Sequence, residues 1–419
     1  MIMYITKVTI ERIRCFKKIV IDLSTTRGVR KWAMILGDNG VGKTTLLRCI
    51  AMGLCDEAGA VSLLRDTRGQ WIMKGQDQPG RIKIELCHRG KKYSITSKIE
   101  KTPSGLENIK QIVWPGKDIF PWDNIFVCGY GSNRRTEGSL DNDSYSPADA
   151  VYTLFNYDWP LQNPELILRR RAAKQSQQNR ICRAIDNILM LKKGATQLTD
   201  NGIFINGDWN EDIHVGAVGD GYSSTLIWIL DMLGWAILSG QLEKDTDLTG
   251  VVLIDEIEQH LHPRWQRHIV RLLKKTFPNI QFITTTHTPL CAGGTADLDK
   301  EEYKLILLKR NEDSFVNIID KLQPLDGYRA DQILASELFG YIIGTNIETE
   351  ELLREASILA GKGKKRSPSE NARYKKLKNE LKDILLSSKQ TLFEQELVRE
   401  RREKIRKETK RLEKKLFGK

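Results

Sequence analysis

Gly37-Asp38-Asn39-Gly40-Val41-Gly42-Lys43-Thr44 decides how this chain is read. The stretch fits G-x-x-x-x-G-K-[ST], the pattern of a phosphate-binding loop. The apolar run Trp32-Ala33-Met34-Ile35-Leu36 leads into it, and Thr45-Leu46-Leu47-Arg48-Cys49-Ile50-Ala51-Met52 follows with helical spacing. Strand, glycine loop and helix are the context that the pattern requires. Glycines let backbone N–H groups turn inward around an anion with no Cβ in the way. The helix start adds its positive dipole end. Gly37, Asp38, Asn39, Gly40, Val41, Gly42, Lys43, Thr44 and Thr45 are therefore the candidate ATP contacts. Lys43 is expected to reach the β- and γ-phosphates, and the Thr44 hydroxyl to ligate Mg²⁺.

A second stretch, Val251-Val252-Leu253-Ile254-Asp255-Glu256, supplies what a phosphate loop alone lacks. Four apolar residues make a buried parallel strand, and two carboxylates follow at its carboxyl end. Asp255 is expected to hold Mg²⁺, directly or through water. Glu256 is expected to position and deprotonate the attacking water. Another apolar strand, Pro278 to Thr286, runs into His287.

Around these stretches the chain alternates between strand and helix patterns. Tyr4 to Ile10 and Lys18 to Leu23 read as strands flanking Ile10-Glu11-Arg12-Ile13-Arg14-Cys15-Phe16. Residues 53–81 are glycine-rich and polar and read as a loop region. Arg81 to His88 and Lys92 to Glu100 alternate apolar and polar residues around Arg89-Gly90, a hairpin signal suited to an antiparallel layer. Asn124 to Cys128 is a further buried strand, ending in Gly129-Tyr130-Gly131-Ser132-Asn133-Arg134-Arg135, a nucleotide-proximal loop or an ordinary turn. Asn163 to Lys193 reads helical, with Arg169-Arg170-Arg171 near its start, and Phe204 to Trp209 reads as a hairpin tip. Gly219-Asp220-Gly221-Tyr222-Ser223 precedes the helical run Thr225 to Leu238, again a glycine loop before a helix.

Four segments result: 1–135 as the N-terminal part of a nucleotide head, 136–200 as linker and helical arm, 201–345 as the second part of the head, and 346–419 as a basic helical extension. Residues 369–386 and 391–417 read as long charged helices with a narrow apolar stripe, a helical hairpin or a partner-docking arm. The net charge of +12 is unevenly placed: residues 362–419 hold 21 Lys and Arg against 9 Asp and Glu, and the preceding residues hold 45 of each. That excess suggests an acidic partner, nucleic acid or an acidic protein face, or else a solvated helix. Seven scattered cysteines without a C-x-x-C pair read as reduced thiols of a cytoplasmic protein. The longest apolar stretch, Leu226 to Leu238, contains Asp231 and is too short to span a membrane.

Taken together these motifs resemble the ATPase heads of the ABC/SMC type, in their RecF- and OLD-like bacterial branch. The resemblance covers roughly the first 310 residues. It implies an α/β fold: a mixed sheet with helices on both faces and an added antiparallel layer, a short helical insertion, and a charged helical extension. It casts Gly219, Asp220, Gly221, Tyr222 and Ser223 as a degenerate signature loop acting in trans, His287 as the switch histidine, and Arg14 as an approach to the phosphates. No glutamine is assigned to a Q-loop. The runs Asp255-Glu256-Ile257-Glu258-Gln259-His260-Leu261-His262-Pro263-Arg264-Trp265-Gln266 and Gly327 to Gly340 are similar to small ATPases of bacterial anti-phage systems such as Septu and PARIS. This implies an ATP-dependent homo-oligomer, at least a dimer, controlling a separate nuclease subunit, of HNH type if Septu and of Toprim type if PARIS. The alternatives are a RecF-like repair ATPase that binds DNA directly, and a transporter nucleotide-binding subunit.

Overall fold

In this computed structural model the described residues are 3–386, apart from 68, 118, 135–141, 163–174, 200, 207–211, 218–219, 243–247, 323, 335, 337, 340–346 and 364–365. The arginine run 169–171, residues 136–141 of the expected linker, residues 207–209 of the expected hairpin tip and the helix expected over 391–417 lie outside them. The chain divides into two compact units, Met1–Gly340 and Tyr341–Lys419.

The first unit is built on a six-stranded sheet. Its order across the sheet is Val316–Ile319, Tyr303–Arg310, Trp32–Leu36, Ile280–Thr285, Gly250–Ile254 and Val127–Tyr130. All neighbours are parallel except the edge pair 303–310 and 316–319. The strands leading to the phosphate loop and to Asp255 therefore do not touch. Strand Ile280–Thr285 lies between them, pairing Phe282 with Trp32 on one side and Leu253 with Ile283 on the other.

Side chains alternate along these strands, and so feed two cores. Trp32, Met34, Tyr130, Val252, Ile254 and Phe282 pack with the helices Gln175–Ile188, Asp220–Leu238 and Pro263–Thr276. Ala33, Ile35, Val127, Val251, Leu253 and Ile283 pack on the opposite face, against the loop's own helix Lys43–Leu54 and a second sheet. That second sheet is antiparallel, ordered Phe16–Asp22, Met3–Ile13, Gly80–His88, Lys91–Lys101 and Glu107–Trp114. Its central hairpin turns at Arg89 (φ 52°) and Gly90 (φ 75°), as the alternation predicts. Buried Gln281 joins the two sheets: its side chain accepts from Ile5 N at 2.8 Å and donates to Ile5 O and Arg30 O at 2.9 Å each.

Three local readings are corrected. Residues 53–81 are not a loop throughout: Glu57–Arg65 is a helix, capped by Asp56, whose Oδ1 accepts from Gly59 N at 2.9 Å. Its small residues disguise an apolar stripe of Ala60, Leu63 and Leu64, all buried. The first strand runs to Ile13, and its turn is compressed to Arg14 and Cys15, with Arg14 at φ 46°. The helix expected from Thr225 starts at Asp220, so the signature-like segment forms its first turn, with Val218 and Gly219 outside the described residues.

The second unit is described as two helices, Ile347–Gly361 and Pro368–Leu386. Arg373 grips Glu355 through two bonds of 2.9 and 2.7 Å, and Leu359 and Leu377 are buried. Among the described residues no helix is long and apolar enough to cross a membrane.

Candidate nucleotide site

The loop closes on left-handed glycines where nothing else fits. Gly42 has φ 100°, and a Cβ there would meet Cys15 Sγ at 2.7 Å and the Phe16 ring at 2.9 Å. At Gly37, φ 140°, it would meet Leu308 O at 2.5 Å. Helix Lys43–Leu54 begins at Gly42 with no side-chain cap, so its first N–H groups are left for a ligand. Lys43 is buried and folds back over the loop, donating to Gly37 O at 2.7 Å and Asp38 O at 2.9 Å. Burial lowers its pKa, opposed by the nearby charges of Asp255, Glu256, Glu258 and Asp38.

Asp255 is where the segments meet. Its Oδ2 accepts from Thr44 Oγ1 at 2.6 Å, across the sheet from the loop. Its Oδ1 accepts from Thr285 Oγ1, also at 2.6 Å. The Thr285 hydroxyl in turn accepts from Glu256 N at 2.7 Å. The strand order explains this: Thr285 ends the strand between the two motifs and reaches sideways to the second. A carboxylate group beside a threonine hydroxyl, next to an uncapped helix start and a lysine, offers oxygen donors suited to Mg²⁺ on a nucleotide.

Glu256 follows in a left-handed backbone, φ 49°. Its Oε1 lies 3.9 Å from His287 Nε2, and His287 Nδ1 lies 3.5 Å from Lys43 Nζ. Burial first and the Asp255 charge second raise the Glu256 pKa, which moves it towards the range where a carboxylate is an effective base. Glu258 Oε1 accepts from His287 N at 2.5 Å, anchoring the histidine's main chain. Beneath them lies Arg134, its Nη2 donating to Asp255 O at 2.8 Å and Glu256 O at 3.1 Å.

The structure thus brings Lys43, Thr44, Asp255, Glu256 and His287 together. The Arg14 guanidinium lies 4.0 Å above the Trp71 ring, and it is the next residue, Cys15, whose Sγ contacts the loop, at Val41 O, 3.7 Å away. Asp220, Gly221, Tyr222 and Ser223 occupy the start of the helix Asp220–Leu238. Three functional positions escaped the sequence reading of the site. Glu258 and Arg134 stood inside quoted motifs with no role given. Thr285 had only one signal, the run Thr284-Thr285-Thr286 at a strand end.

Phosphate loop, paired carboxylates and histidine at the ends of neighbouring parallel strands make a P-loop nucleotide site that resembles those of ABC/SMC-type ATPase heads. A protein-family model described as "AAA domain" matches residues 7–179, and one described as "AAA domain, putative AbiEii toxin, Type IV TA system" matches residues 227–291. The chain resembles the Septu protein PtuA of Bacillus mycoides, 28% identical over 394 residues, 91% of this chain and 50% of that protein. It is also similar to the Retron Vc95 probable ATPase of Vibrio cholerae, 29% identical over 188 residues, 43% of this chain and 35% of that one. The chain spans half or less of the length of these two curated relatives. Among solved structures, the SMC head domain from Thermotoga maritima matches 76% of this chain and 99% of its own, at 16% identity and a TM-score of 0.44.

Proposed function

We propose that the chain hydrolyses ATP at this site and that the resulting cycle of nucleotide states controls a partner protein. The convergence of Thr44 and Thr285 on Asp255, with Glu256 beside it, carries the reading. The Gly37–Thr45 backbone and Lys43 hold the phosphates; Thr44 and Asp255 hold Mg²⁺. Bound Mg²⁺ would offset charge on the phosphoryl oxygens. Glu256 takes the proton of the attacking water, and His287 hydrogen-bonds the γ-phosphate and registers its loss.

The γ-phosphate also needs donors on its far side as charge develops. We infer that Gly219, Asp220, Gly221, Tyr222 and Ser223 of a second protomer supply them, so that two ATP molecules are enclosed in a head-to-head dimer. The helix start at Asp220 supports this, since its first N–H groups lead the segment. The similarity to the Septu protein PtuA and to a retron ATPase supports a further part of the proposal: that the chain acts in bacterial anti-phage defence and that its partner is a separate nuclease, of HNH type by preference.

The test is direct. Glu256→Gln should bind Mg-ATP, accumulate as a dimer and hydrolyse slowly. A normal hydrolysis rate in that variant would remove the catalytic assignment, and a monomer under saturating ATP would remove the dimer. Co-purification of a nuclease encoded alongside would support the defence role. The surplus of 21 basic over 9 acidic residues in 362–419 favours a second reading, a RecF-like head that binds DNA itself. Steeply salt-dependent DNA binding by the isolated chain would select it.

A further inference from the structure

Glu256 is held in a conformation it would not choose. A non-glycine residue in the left-handed region costs on the order of 1–3 kcal/mol and persists only where its surroundings impose it. The surroundings here are specific. Thr285 Oγ1 holds the Glu256 N–H at 2.7 Å, and Arg134 Nη2 holds the carbonyls on both sides of the peptide, Asp255 O at 2.8 Å and Glu256 O at 3.1 Å. The same guanidinium is fixed from behind, with Nε donating to Gly131 O at 3.2 Å and the cation 6.0 Å from the Trp228 ring.

Arg134 is buried, and among the described residues its hydrogen bonds all go to main-chain carbonyls. Burial pushes its pKa down to about 10, against the raising influence of Asp255, Glu258 and Glu256. A cation placed there solely to neutralise the carboxylates would be better satisfied by bidentate pairing with one of them. Its planar fork instead fixes the path of the backbone.

We propose that Arg134 is a positioning residue for water activation: by clamping the Asp255 and Glu256 carbonyls it keeps Glu256 left-handed, with its carboxylate turned towards His287 and Lys43. If the clamp is released, the 255–256 backbone relaxes towards the right-handed region and the carboxylate leaves the phosphate side. The phosphate loop and its lysine are untouched, so the loss falls on turnover and not on binding.

This inference rests on the reading of Glu256 as the base, and the experiment separates the two. Arg134→Met should lower kcat about 10- to 100-fold, the scale of a misplaced catalytic group, and leave the KM for ATP and the affinity for Mg-ATP within about threefold. Added to Glu256→Gln, it should change the residual rate less than about twofold, because both substitutions remove one function. A kcat near the wild-type value, a loss confined to KM, or losses that multiply in the double variant would each overturn the proposal. If Arg134→Met does not fold, Arg134→Lys carries the test, since it keeps the charge but cannot also hold Gly131. A kcat lowered about fivefold at constant KM, with no further loss in the Glu256→Gln background, supports the clamp; an unchanged kcat overturns it. A normal rate in Glu256→Gln alone is a different result, and removes the base rather than its support.

Discussion

Thr44 Oγ1 and Asp255 Oδ2 are 2.6 Å apart, although the strands that carry them are not neighbours in the sheet. The hydroxyl spans the end of the intervening strand, and Asp255 is shared between it and Thr285. An asparagine at 255 has one acceptor where two are used. Asp255→Asn should therefore bind ATP with similar affinity in EDTA, lose the tightening that Mg²⁺ confers, and hydrolyse about 100-fold more slowly. Titrations with and without Mg²⁺ measure this, and a retained Mg²⁺ effect would argue against Asp255 as a metal ligand.

Gly42→Ala tests the loop's backbone. At φ 100° the added methyl is strained, and it meets Cys15 Sγ and Phe16 at under 3 Å. The expected cost is roughly 1–3 kcal/mol from the backbone, before any clash. Denaturant unfolding should show that loss together with weaker nucleotide binding. An unchanged midpoint and an unchanged affinity would mean that the turn can reorganise cheaply.

Asp231 gives the fold a pH dependence of its own. It is buried in the helix that begins at Asp220, accepts from Tyr130 Oη at 2.8 Å and Gln162 N at 2.8 Å, and burial raises its pKa from 3.8 to about 7. Between those values the folded chain keeps a proton that the unfolded chain has released. Its contribution is therefore fully present below about pH 4, is lost as pH rises to about 7, and is flat beyond. At about 1.4 kcal/mol per unit the change is roughly 4 kcal/mol. Unfolding free energies of wild type and Asp231→Asn, measured from pH 4 to 8, should diverge by that order. Parallel curves would mean that the carboxyl is not desolvated in the folded state.

Gln281→Leu should destabilise the first unit by about 2–5 kcal/mol, since it leaves the Ile5 N–H and C=O buried without partners. The loss is expected in unfolding experiments, with ATP affinity in the remaining folded protein close to normal. A neutral substitution would mean that the two sheets are joined by their apolar surfaces alone.

How much was legible in the sequence follows from which interactions are local. The phosphate loop and the strand before Asp255 are spelled out in consecutive residues, and both stand where the patterns place them. The hairpin around Arg89-Gly90 is equally local. Strand Glu107–Trp114 was missed because an inward position holds Gln111, 5% exposed, whose Nε2 bonds Ser97 Oγ and Cys55 O; a polar residue there breaks the apolar alternation. The parts played by Thr285, Glu258 and Arg134 depend on strand order. Thr285 matters because its strand falls between two others, a fact that no window of sequence contains.

The separation of Thr44 and Asp255 by 211 residues has a consequence for folding. Neither motif is a binding site until the intervening chain has closed the sheet, so the site forms with the long-range topology and not ahead of it. Ligand that binds only this closed state adds its binding free energy to the whole first unit rather than to one loop. Nucleotide should slow hydrogen exchange at Ile5 and Phe282, far along the chain from the phosphates, as well as at Gly42. The cell's ATP level would then set how long the assembled sheet survives between openings.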